Sequence, residues 1–103
     1  MHNLNLATAA LALTAVAFLG AGPAQAEESR GAILANTCFS CHGTDGRSSG
    51  AMPSIDGKSA SYITDTLKRF RDGEKASTVM MRISKGFTDE EIEVLANYFS
   101  GQK

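Results

Sequence analysis

Residues 38–42 read Cys38-Phe39-Ser40-Cys41-His42, a C-x-x-C-H pattern whose chemistry organises the rest of the chain. It is the attachment pattern of c-type haem, and each element has a mechanical reason. Two residues between the thiols match the spacing of the two vinyl groups on one porphyrin edge, so both thioethers form without straining the helix that presents them. The adjacent His42 then points at iron. Imidazole is a good iron ligand, and its second ring nitrogen needs an acceptor that fixes the ring and raises its basicity. A backbone carbonyl near Pro53 is placed to serve.

C-x-x-C alone also occurs in thiol oxidoreductases and zinc sites. A thioredoxin-like domain requires a βαβ context that this chain lacks, and a structural zinc site wants a fourth ligand. His2 is the only other histidine, and it lies in a segment expected to be removed. A haem-free C-x-x-C oxidoreductase is the reading that remains from the enzyme class.

Working outward to the N-terminus, residues 1–26 contain no Asp, Glu, Lys or Arg, and Leu11–Leu19 form an apolar run followed by Gly20, Pro23 and Ala24-Gln25-Ala26. This has the form of a secretory signal peptide cleaved after Ala26, with a run too short to span a bilayer comfortably. The positive n-region is reduced to the amino terminus and His2, so an uncleaved anchor is the competing reading. Cleavage implies export to the periplasm and no membrane span afterwards.

The mature segment, 27–103, is then a single small domain of 77 residues. At that size a core supplies only about 3–5 kcal/mol unaided. A disulfide between Cys38 and Cys41 closes too short a loop to constrain much of the unfolded chain. A cofactor is the expected reinforcement, and haem burial adds apolar area and dispersion. The charge balance, ten Lys plus Arg against eleven Asp plus Glu, gives no basic stripe, which excludes nucleic acid as a partner class.

Periodicity predicts an all-α fold of three helices and two loops. The first helix runs from about Ser29 to Asn36, with small residues Gly31, Ala32 and Ala35, and leads into the cysteines. A second, 61–71, carries Ile63, Leu67 and Phe70 on one stripe and stops at Gly73. The third starts at Thr88, with Glu91 completing a capping box, and carries Ile92, Leu95, Ala96 and Phe99 on one face; Asp89, Glu90 and Glu91 complement its dipole. The loops span Gly43–Lys58 and Gly73–Phe87.

A low-spin electron carrier needs a second axial ligand, commonly a Met thioether, which raises the potential. Met52 is ten residues past His42, too close in the chain to reach the opposite haem face. Met80 and Met81, in the second loop, are the candidates, against a plain reading as gap-filling core.

With C-x-x-C-H early, a Pro-containing loop, a Met pair late and a capped terminal helix, the mature chain resembles the class I cytochromes c. Within that class Cys41-His42-Gly43-Thr44-Asp45-Gly46, Pro53-Ser54-Ile55 and Ala76-Ser77-Thr78-Val79-Met80 resemble the cytochrome c4-like domains, in particular the haem subunits of flavocytochrome c sulfide dehydrogenases. The resemblance implies a cytochrome c fold around one covalent haem c, held by Cys38, Cys41, His42 and Met80. Met80 is preferred because the family's ligand Met precedes a loop-closing Gly by six residues, here Gly86. It also implies close packing of Gly31 against Tyr98 or Phe99. Leu34 departs from the family, where an aromatic residue is common.

The expected function is one-electron transfer, with no catalysis by the domain alone, and redox proteins as partners. The partner is either a flavoprotein sulfide dehydrogenase subunit or, for a freely diffusing carrier, a transient one. An obligate subunit should show an apolar patch, with Phe39, Met52, Ile55 and Phe87 as candidates. Lys75, Arg82 and Lys85 flank the Met loop and read either as a merely solvated face or as a weakly positive rim that guides an acidic partner.

Overall fold

In a computed structural model of the chain, residues 20 and 22–102 are described; the apolar run read as a signal peptide lies outside them. The described residues are helical, with no strand: α1 Pro23–His42, a 3-10 turn Thr44–Gly46, α2 Ala60–Arg71, α3 Met80–Ser84 and α4 Asp89–Ser100. None of these helices is long and apolar enough to cross a membrane.

α1 is much longer than the stretch 29–36 expected for it. Pro23 occupies its first turn, where a missing N–H costs nothing, and no Gly or Pro interrupts Thr37–His42. Its stop is Gly43, at φ +84°, where an added Cβ would lie 1.9 Å from the Arg47 carbonyl oxygen. Only glycine fits that turn. Residues 22–30 are all exposed, so α1 begins to pack only at Gly31.

α4 carries the core. Ile92, Leu95, Ala96 and Phe99, the predicted face, are all buried, with Val94 beside them; Ala35 and Ile63 complete the buried apolar set. The capping box forms as expected: the Glu91 N–H donates to Thr88 Oγ1 (3.2 Å) and the Thr88 N–H to Glu91 Oε2 (3.0 Å). α2 starts at a cap that periodicity did not mark, Ser59 Oγ accepting from the Tyr62 N–H (3.2 Å). Between α2 and α4, Asp89 accepts from Arg71 at 2.6 Å and lies 3.6 Å from Lys68, and the Arg71 hydrogen bond holds its carboxyl below the usual range.

α1 crosses α4 at Gly31, where an added Cβ would meet Tyr98 Cβ at 3.2 Å and Val94 Cγ1 at 3.6 Å. The implied glycine–aromatic contact therefore involves Tyr98. Because the nearest atom is Tyr98's own Cβ, the helices must separate to admit a larger residue. Gly31→Val is expected to destabilise the protein by about 1–3 kcal/mol through overpacking. Gly31→Ala should come closer to neutral, since it gains about 1 kcal/mol of helix propensity. Denaturant titration of both variants checks the order, and a valine variant as stable as the parent would show that the crossing is loose.

The first loop is folded back on the helices. Gly46 O accepts from the Ile55 and Asp56 N–H groups (2.9 and 3.3 Å), and the Gly57 N–H donates to Phe99 O (3.0 Å). The second loop contains α3, a single short helix where periodicity gave none. Ser77 Oγ accepts from the Met80 N–H (3.1 Å) and so fixes where that helix begins.

Candidate haem site

Cys38, Cys41 and His42 sit at positions i, i+3 and i+4 of α1, which places them on one helical face. His42 is buried, and its Nδ1 lies 2.7 Å from the carbonyl oxygen of Pro53. A carbonyl only accepts, so Nδ1 carries the proton and Nε2 keeps the lone pair. This is the arrangement of a histidine oriented for ligation through Nε2.

His42 and Cys38 line a cavity of about 390 Å³ whose walls include Ile63, Leu67 and Phe70 of α2, Met80 and Ile83 of α3, and Leu95 and Phe99 of α4. A second cavity of about 290 Å³ shares Cys38, His42, Met80 and Ile83 with the first and adds Cys41. The four residues expected to hold haem therefore border one continuous region. The predicted α2 stripe turned out to be a cavity wall more than a core face: of its three members only Ile63 is buried.

The two adjacent methionines diverge. Met80 lines both cavities, whereas Met81 lines neither, and its Cε is the nearest atom, at 3.9 Å, to a Cβ built on Gly73. Met52 also lines both, beside the proline that holds His42.

Among the described residues no three His, Cys, Asp or Glu side chains converge as a closed zinc site would require. Both cysteines are free. Burial, partly offset by a hydrogen bond to Thr37, pushes the Cys38 thiol up, the opposite of what an attacking redox thiolate needs. The residues do fit a haem: two thiols on one face, an oriented imidazole, a thioether across an apolar cavity, and a core too small to close without contents.

The turn after His42 is pinned by α4. Asp45 adopts φ +55°, and Tyr98 Oη donates to its Oδ1 at 2.6 Å. That hydrogen bond, aided by burial, pushes the Tyr98 hydroxyl up to about 12. A folded-state value above the unfolded one of about 10 gives stability that is complete below pH ~10 and lost as pH rises towards ~12. Tyr98→Phe should lower stability at neutral pH and flatten the alkaline fall; urea titrations of both proteins at neutral and alkaline pH measure the difference.

Phe39, Ile55 and Phe87 do not form the expected apolar patch. Phe39 packs on Tyr98 and Phe99, with ring centroids 6.3 and 6.4 Å apart, and Ile55 and Phe87 lean on the core. Of those candidates only Met52 stays exposed; among the described residues Ile33, Tyr62 and Val79 are the other large exposed apolar side chains. Leu34, the departure noted in the sequence, packs against the core. Arg82 and Lys85 are exposed, while Lys75 is half-buried on the cavity wall, a place it shares with Lys58, which the sequence reading passed over. The signal available for it was its position just before α2, whose Tyr62, Thr66 and Phe70 all face this cavity.

Comparison with known proteins gives a consistent picture. The family model for cytochrome c matches residues 28–103. The chain is 56% identical over 72 residues to the cytochrome subunit of sulfide dehydrogenase from Chlorobaculum tepidum, covering 70% of this chain and 66% of that one. It is 37% identical over 71 residues to cytochrome c-554(548) of Halomonas halodenitrificans, covering 65% and 86%. The solved structure of cytochrome c4 from Acidithiobacillus ferrooxidans superposes with a TM-score of 0.69 at 30% identity, covering 73% of this chain and 49% of that one. The chain thus spans just under two thirds of the sulfide dehydrogenase subunit and about half of the cytochrome c4.

Proposed function

The chain belongs to the cytochrome c family, and from that premise we propose that its mature form is an exported monohaem electron carrier serving as the electron-accepting subunit of a flavin-dependent sulfide dehydrogenase. In this reading Cys38 and Cys41 would hold the haem through sulfur, His42 Nε2 and Met80 Sδ would ligate its iron, and cleavage would follow Ala26. The observation that carries it is the His42–Pro53 hydrogen bond, which leaves the ligating nitrogen free on the same cavity as Cys38 and Met80. The 56% identity to a sulfide dehydrogenase subunit supports the partner.

The bound group supplies a one-electron ferric/ferrous couple. The protein's part is to keep that couple in place as the charge changes. Pro53 fixes the imidazole plane, and Ser77 and the first turn of α3 fix Met80. Apolar side chains from α2 and α4 exclude water from the cavity. Cys41 is exposed, so the attachment side of the site lies at the surface, where electrons can cross to a partner. With His42 and Met80 both engaged, no position is left for substrate, and the sulfide chemistry belongs to the flavoprotein.

A freely diffusing carrier is the second reading, favoured by the inward packing of Phe39, Ile55 and Phe87. Purification from the native periplasm decides between them: a flavin-containing chain that co-elutes through salt washes supports the subunit, and a cytochrome eluting alone supports the carrier. A Soret band that survives denaturation and acid-acetone extraction is expected in either case, and its absence would leave only thiol chemistry.

A further inference from the structure

The larger cavity has an unusual charge pattern. Its wall is apolar over most of its extent and includes no Asp, Glu or Arg, yet it carries two lysines, Lys58 and Lys75. They flank α2, one just before its first turn and one just after its last. Arg30, Arg47, Lys68 and Arg71 are all ion-paired, but neither Lys58 nor Lys75 is in an ion pair among the described residues. Each instead rests on an aromatic ring of the same wall: Lys58 Nζ is 5.7 Å from the Tyr62 centroid and Lys75 Nζ is 5.1 Å from that of Phe70. Those distances are cation–π contacts, which keep an ammonium beside the cavity rather than free in water.

Two ammonium groups with no carboxylate partner on the wall of an apolar chamber are placed to meet contents that carry negative charge. Haem carries two carboxylates. We propose that Lys58 and Lys75 neutralise these carboxylates and thereby set the reduction potential of the iron upward. This rests on the haem reading above and adds to it the residues that tune the group. Removing positive charge near the iron disfavours gaining an electron, so the sign of the effect is fixed by electrostatics. Lys75 is half-buried and Lys58 exposed, so solvent screens Lys58 more. The remaining titratable groups on the wall are Cys38, His42 and Tyr62; α3 and α4 contribute Met80, Ile83, Leu95 and Phe99, none of which carries charge.

The test is potentiometric titration of full-length holoprotein, matured in cells that attach haem, for the parent, Lys58→Gln, Lys75→Gln, the double variant and Lys75→Arg. The midpoint should fall in both single variants, further for Lys75→Gln, and furthest in the double variant. The double variant should also gain a pH-dependent midpoint, because an uncompensated carboxylate takes up a proton on reduction. Lys75→Arg should restore the parent value. Visible spectra that stay low-spin show that the ligands are intact, so the shift reads charge alone. Midpoints and pH profiles matching the parent in all variants would overturn the proposal while leaving the haem reading standing. A parent protein lacking covalent haem would overturn both.

Discussion

His42→Ala is expected to prevent holoprotein from accumulating. Loss of an outer hydrogen-bond partner of a metal-bound histidine already costs about 10- to 100-fold in metal affinity or activity, and this substitution removes the ligand itself. It also deletes the buried imidazole that ties α1 to the Pro53 carbonyl, so the first loop loses an anchor on the cavity side. Absorbance at the Soret band per unit of purified chain, with the parent matured in parallel, measures the loss. A normal yield of low-spin haem protein would remove His42 from the site.

Met80→Ala should give the other large effect, and a different one. The chain should still acquire haem through Cys38 and Cys41, but with the sixth position open. The midpoint potential should drop, and the ferrous form should bind carbon monoxide, which the parent is expected to exclude. Met81→Ala serves as the control, because Met81 lines neither cavity. Met52→Ala is the sharper comparison: Met52 borders both cavities, but beside the proline bonded to His42, on the histidine's side of the site. If carbon monoxide binds the Met52 variant and not the Met80 variant, the ligand assignment passes to Met52.

Much of this arrangement was legible in the chain because the signals were local. C-x-x-C-H announces itself within five residues, and the carbonyl partner of His42 could be guessed from Pro53 alone. The capping box at Thr88 and Glu91 marks α4 without reference to anything distant, and its 3.6-residue stripe of Ile92, Leu95, Ala96 and Phe99 reads as one buried face. The failures have equally physical origins. α3 has five residues, too few for any period, and the Met80 N–H at its start is held by Ser77 Oγ, a contact no apolar pattern announces. The length of α1 was hidden because its first eight residues bury nothing, so no apolar pattern marks them. The Ile63, Leu67, Phe70 stripe was correctly placed on a helix, but what it faces was not legible, since periodicity cannot distinguish a face that meets side chains from one that lines a cavity. The proposed apolar patch failed because Phe39, Ile55 and Phe87 found partners from elements far away in the chain.

Among the described residues the buried apolar set numbers seven, five of them from α4, and α4 is the helix against which both α1 and α2 pack. Two arms thus pack on one spine and line an apolar hollow between them. Loading would weld the arms into a single cooperative unit, by the mass-action stabilisation that any tight occupant of the native state provides. Proteases, which cut what opens, would then act as inspectors: chains that missed their prosthetic group would be cleared, and the surviving pool would be competent without any dedicated checkpoint.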